Sequence, residues 1–207
     1  MTAEKESFSE PVLDGRLESL AEKLRERNFE VVVVEGPDQA RAEVLSRIPE
    51  GAEVHSAKSK TLEDIGVYKE LMESGKYDFL RLKQFQMDRK TQAREMRKLV
   101  AAPDIMVGSV HAVTEAGQLV EASASGSQMG PYSASSGHLI LVVGSQKIVP
   151  DLDTALLRIE QHVMPYEDAR LREQMGVGTK IARVLIIERD YMPGHTTVVL
   201  VKQPVGV

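Results

Sequence analysis

The sequence predicts an α/β fold: a mainly parallel sheet with helices on both faces. Three observations carry this. Phe29-Glu30-Val31-Val32-Val33-Val34 and Leu139-Ile140-Leu141-Val142-Val143 are β-branched or fully apolar runs of strand length. Strands buried on both faces read as such continuous runs, because neither side of the pleat meets water. Between the runs, apolar residues recur at helical spacing. Strands alternating with helices favour parallel pairing through crossover helices.

The elements follow in order. Leu13, Leu17, Leu20, Ala21 and Leu24, with Asp14 near the start, predict a first amphipathic helix. The strand at Phe29 to Val34 breaks at Gly36-Pro37-Asp38. Ala40, Val44, Leu45 and Ile48 mark a second helix, ended by Pro49 and Gly51. Ala52 to Ser56 is a short strand. The loop Ala57-Lys58-Ser59-Lys60 leads into a helix whose Thr61 and Asp64 are spaced as a capping box. Val67 to Ser74 is helical up to Gly75. Asp88 is placed to cap a charged helix carrying Ala93, Met96, Leu99 and Val100 on one face. After the turn Ala102-Pro103-Asp104 comes the strand Ile105 to Val107. The strand Leu139 to Val143 closes on Gly144-Ser145. Beyond Asp151, Leu152, Ala155, Leu156, Ile159 and Val163 form a helix stripe. Ile181 to Ile187 and Thr196 to Lys202 flank Asp190-Tyr191-Met192-Pro193-Gly194-His195 and predict a C-terminal β-hairpin. Residues 1–12 are expected to be a flexible N-terminus and residues 13–207 a single α/β domain.

Composition narrows the function. The 207 residues carry a net charge of −5 with no long Lys/Arg block, which argues against nucleic acid as a partner. No apolar run reaches the roughly 18–20 residues that span a bilayer, so no membrane association is expected. The first residues lack a charged-then-apolar signal pattern, and the expected location is the cytoplasm. The Cys count of 0 excludes disulfides, a catalytic thiolate and a thiolate-held iron–sulfur cluster in this chain. The five His residues show no metal-ligand spacing, and no metal site is expected. Neither Gly-x-Gly-x-x-Gly nor a P-loop occurs, so no nucleotide cofactor is expected.

Three segments concentrate polar chemistry at strand ends, where open α/β sheets bind ligands. In the first, an apolar run ends in Gly108-Ser109 and is followed by His111 and Glu115. Those two share a face if the segment is one helical turn. They are the candidate catalytic pair, with Glu115 as base, nucleophile or hydrogen-bond acceptor. In the second, Lys58, Ser59, Lys60 and Thr61 offer ammonium groups, hydroxyls and helix N–H groups to a phosphate or carboxylate. In the third, Ser123, Ser125, Gly126, Ser127 and Gln128 offer many donors and little bulk. The three are expected to converge on one cleft.

Three blocks resemble the LUD domain family of lactate utilization proteins. They are Ser59-Lys60-Thr61-Leu62-Glu63-Asp64-Ile65-Gly66, Gly108 through Gly117, and Gly137-His138-Leu139 through Val143-Gly144-Ser145-Gln146-Lys147-Ile148-Val149-Pro150-Asp151-Leu152. The resemblance covers residues 15–205. It implies a Rossmann-like fold related to the ribose-phosphate isomerase (RpiA), NagB and CoA-transferase group. It also implies a role near oxidation of L-lactate to pyruvate, beside partner proteins that carry iron–sulfur clusters. Three functions are compatible with these residues. One is a non-redox accessory subunit that binds a small carboxylate or phosphate, or a partner protein. Another is an independent isomerase or acyl-CoA-transferase-type enzyme using Glu115. The last is a ligand-sensing module without catalysis.

Overall fold

The computed structural model describes residues 8–12 and 14–207. Residues 1–7 of the expected flexible N-terminus, and Leu13 of the first apolar stripe, lie outside the described residues. In chain order the elements are α1 (Asp14–Glu26), β1 (Glu30–Val34), α2 (Pro37–Ser46), β2 (Glu53–Ser56), α3 (Lys60–Asp64), α4 (Val67–Glu73), β3 (Asp78–Phe79), α5 (Leu80–Phe85), α6 (Ala93–Leu99) and β4 (Ile105–Gly108). Then come β5 (Ala112–Thr114), β6 (Leu119–Ser123), β7 (His138–Gly144), β8 (Ile148–Val149), α7 (Leu152–Arg158), α8 (Met164–Met175), β9 (Arg183–Ile187) and β10 (Thr196–Val201). A π turn at Ile159–Val163 joins α7 to α8.

The central sheet has six strands in the order β1-β10-β7-β4-β2-β3, and every pairing in it is parallel. The pleat sends alternate residues to opposite faces, and both faces are covered. From β7, Leu139, Leu141 and Val143 join Leu17, Leu20 and Leu24 of α1 in one core. Ile140 and Val142 join Val44 of α2, Leu62 of α3 and Leu71 of α4 in the other. Each such fully buried aliphatic side chain contributes roughly 1.5–3 kcal/mol relative to exposure. Asp151 caps α7, accepting a hydrogen bond from the Thr154 amide at 2.8 Å.

A second sheet, in the order β8-β5-β6-β9, stands beside the first. Val113, Leu119 and Ile148 face the α1 core, and Ala112, Val120 and Val149 face α7. This sheet changes several local expectations. The last two strands form where expected but do not pair with each other as a hairpin. β9 runs antiparallel to β6 in the small sheet, whereas β10 lies between β1 and β7 in the large one. Burial explains the split. All of β10 is buried, as a central parallel strand requires, while β9 alternates between exposed and half-buried. His111 and Glu115 do not share a helical turn, because the residues between them form β5, which pairs with β6 and β8. Ser59, not Thr61, caps α3 by accepting from the Leu62 amide. Asp88 organises the turn ahead of α6 by accepting from the Lys90 amide and the Thr91 hydroxyl, and α6 itself has no side-chain cap. No helix among the described residues is long and apolar enough to cross a membrane.

Candidate functional site

A cleft of about 1210 Å³ opens at the C-terminal ends of β2, β4 and β7. That edge is where parallel strands deliver their following loops. The loop after β2 brings Lys58 and Ser59, and α3 brings Lys60 and Thr61. The loop after β4 brings Ser109 and His111. Ser123, Ser125, Gly126, Ser127 and Gln128 also line it. They arrive from the end of β6, whose pairings with β5 and β9 in the second sheet are antiparallel. The three expected segments therefore meet in one cavity.

Glu115 does not join them. It sits in the turn after β5, about half exposed, in an ion pair with Arg16 at 2.6 Å. Strand geometry is the reason: the short β5 carries the chain away from the cleft between His111 and Glu115. Exposed pairs of this kind contribute only roughly 0–1 kcal/mol. Glu115→Gln is therefore expected to leave both melting temperature and ligand affinity unchanged. A several-fold loss of affinity with the fold intact would show that this carboxylate reaches the ligand.

The floor of the cleft is Lys147, which lies in the tight turn after β7. Its side chain is buried to 2% exposure. Nζ donates to Thr61 Oγ1 at 2.8 Å and to Ser109 Oγ at 2.9 Å, and the Thr61 hydroxyl donates to Ser109 Oγ at 3.2 Å. Burial pushes the ammonium down to about 7, with repulsion from Arg158 adding to it. The two acids that pull the other way are engaged elsewhere. Asp64 pairs with Lys60 and accepts from the Gly206 amide; Glu121 is held by Gln128 and His111.

Glu121 lies on β6, buried, between Ser123 and the imidazole. The Ser123 hydroxyl donates to Gln128 Oε1, and Gln128 Nε2 donates to Glu121 Oε1 at 3.1 Å. The other carboxyl oxygen lies 2.9 Å from His111 Nδ1. The Ala122 amide also donates to that nitrogen, at 3.0 Å. One nitrogen thus meets both a donor and a carboxyl oxygen. Behind His111, the fully buried Arg158 donates to the His111 carbonyl at 2.5 Å and to the Phe8 carbonyl at 3.2 Å, fixing the backbone of the pair. Burial lowers the Arg158 guanidinium to about 10.

The remaining expected residues divide by role. Gly108 is a packing glycine: an added Cβ would lie 1.7 Å from the Tyr132 hydroxyl. Lys58 reaches Gln174 at 2.9 Å. Ser125 and Ser127 bond to each other, and Ser123 and Gln128 build the support for Glu121. The sequence reading did not single out Lys147, Glu121 or Tyr132. For Lys147 a signal existed, since it follows Gly144-Ser145 at a strand end. For Glu121 the signal was a lone acid inside an apolar strand.

Charge completes the site. Eight basic and two acidic side chains line the cleft of a chain whose net charge is −5. One of those acids, Glu167, is already paired with Arg170. Such a concentration focuses positive potential into the cavity. Among the described residues no three His, Cys, Asp or Glu side chains gather as metal ligands.

A family model described as the LUD domain matches residues 17–201. A solved structure of a DUF162 family protein from Deinococcus radiodurans has the same fold. It is 10% identical, with a TM-score of 0.56, over 92% of this chain and 99% of that one. No curated protein matches the sequence.

Proposed function

The chain belongs to the LUD domain family, and on that premise we propose that its cleft binds a small carboxylate or phosphate, as a subunit of lactate oxidation to pyruvate that performs no redox step itself. The observation that carries the reading is Lys147, a buried cation whose hydrogen-bond partners among the described residues are two neutral hydroxyls at the floor of a basic cleft. A buried charge without a counter-charge costs free energy. A bound anion would supply that counter-charge, and charge-assisted hydrogen bonds would fix its orientation. Iron–sulfur proteins are the proposed partners, because this chain holds no Cys to ligate a cluster.

A second reading, catalysis of the isomerase or acyl-CoA-transferase type, is favoured by the Glu121–His111 pair on the cleft wall. That pair, rather than Glu115, has the position a proton-transfer group needs.

The test is melting temperature against L-lactate, pyruvate and inorganic phosphate at pH 6.5, since a ligand of the native state raises stability by mass action. At least one should raise it in the wild type and none in Lys147→Met. No shift with any of them would overturn the reading. Affinity should also depend on pH. The anion prefers the ammonium form, so binding is full below about 7 and weakens as the pH rises above it. Affinity that rises with pH would have the wrong sign for a lysine-held anion.

A further inference from the structure

We propose that Lys147 is a nucleophile whose amine forms an imine with the carbonyl carbon of an anionic aldehyde or 2-oxo acid drawn into the cleft. The inference rests on the anion-binding reading and adds a covalent step to it.

The partners of the nitrogen carry the argument. A neutral amine has two N–H bonds and one lone pair. Thr61 Oγ1 and Ser109 Oγ take two hydrogen bonds from Nζ. The remaining position of the nitrogen has no partner among the described residues. In the ammonium form that position is a third N–H, suited to a carboxylate or phosphate oxygen. In the amine form it is a lone pair, suited to a carbonyl carbon. A carboxylate neighbour would hold the proton on nitrogen; two hydroxyls tolerate either form. Burial then puts the free amine within reach near neutral pH.

The surroundings direct the nitrogen toward the cleft. The chain passes over it at Gly206, where an added Cβ would lie 3.1 Å from Nζ and closer still to Thr61 Oγ1. That backbone closes one side, and the cavity occupies another. The reaction needs no oxidant. The amine lone pair attacks the carbonyl carbon, and one N–H proton passes to the carbonyl oxygen to give a carbinolamine. The second N–H proton and the hydroxyl then leave as water, and the C=N bond forms. Proton transfer at the departing hydroxyl falls to Glu121 and His111, which line the same cleft. Hydrolysis reverses each step and frees the amine.

The experiment treats the full chain at pH 7 with glyoxylate or pyruvate and traps any imine with cyanoborohydride. Intact mass and peptide mapping locate the adduct. A single adduct on Lys147, forming about tenfold or more faster than on any other lysine, is expected from its lowered proton affinity. Excess inorganic phosphate should slow it. Lys147→Arg and Lys147→Met both remove the nucleophile, so both should lose the adduct. Labelling spread evenly over the lysines, or unchanged by phosphate, overturns the proposal. A wild type stabilised by phosphate without an adduct overturns the covalent step and leaves the anion reading standing. A wild type that shows neither overturns both. Because the mapping is done on the wild type, the result does not depend on either variant folding.

Discussion

Replacing Gly108 by alanine should destabilise the protein by about 3 kcal/mol, the upper range for forcing extra volume into a packed interior. Gly108 ends β4, and the ideal position of a new Cβ lies 1.7 Å from Tyr132 Oη and 2.6 Å from Cζ. Tyr132 is 2% exposed and packs in the α1-side core. Its hydroxyl accepts from the Ser109 amide and donates to the Ser109 carbonyl, both at 3.0 Å. Either the ring moves and both bonds are lost, or β4 moves and its pairing with β7 is disturbed. For a chain of this size the cost corresponds to a fall in melting temperature of roughly 6–12 °C. Urea unfolding of the variant checks it. A change under about 0.5 kcal/mol, the range of an ordinary surface substitution, would show that the ring yields freely. Ser109 is the next residue and meets Lys147, so ligand affinity should fall with the stability.

Replacing Lys147 by methionine should have the opposite effect on stability while abolishing anion binding. The native lysine holds its proton less firmly than the unfolded one, its value lowered to about 7 from 10.5. Above 10.5 both states are neutral and the group costs nothing. As the pH falls toward 7 the unfolded chain takes up the proton first, so stability is lost on acidification through that window. Below about 7 the full penalty is present, on the order of a few kcal/mol. Methionine has a similar length and no charge, so the variant should be the more stable protein at pH 6. Its stability should also vary less between pH 7 and 10. Thr61 and Ser109 keep their bond to each other when Nζ is removed, which limits the loss. Denaturant unfolding of both proteins across that range measures the difference. A variant less stable than the wild type at pH 6 would mean that the two hydroxyl contacts outweigh desolvation. Stability given up at a binding residue is a familiar trade in functional sites.

Much of the fold is legible in the chain because its signals are local. Glu30–Val34 and His138–Gly144 are strands where continuous apolar runs placed them. The Asp151 cap and the stripe after it are a helix for reasons contained in a dozen residues. Loops that follow parallel strands meet at one edge whatever their exact course, so the placing of Lys58, Thr61 and Ser109 around one cleft is legible from position alone. The segment at residues 123–128 reached the same cleft by another route, along β6. The second sheet was not legible. β5 has three residues and β8 two, too few for a periodicity to show. Without that sheet, the residues after Ser109 read as a polar turn, which would put Glu115 on the same face as His111.

Residue type and order by themselves determined the α/β class, the placing of most helices and strands, and the strand ends that carry polar groups. Pairing and proton chemistry were decided only in the tertiary structure. The two terminal strands are neighbours in sequence, yet β10 enters the centre of one sheet and β9 the edge of another, because burial over the whole fold outweighs the short connection between them. Lys147 gains its character from Thr61, 86 residues away, and Ser109, 38 residues away. Glu121 gains its own from a histidine across a β-turn's reach and a glutamine beyond the strand end. A side chain's charge state depends on which groups surround it after desolvation, and those groups are brought together by packing over distances that no local pattern in the chain encodes.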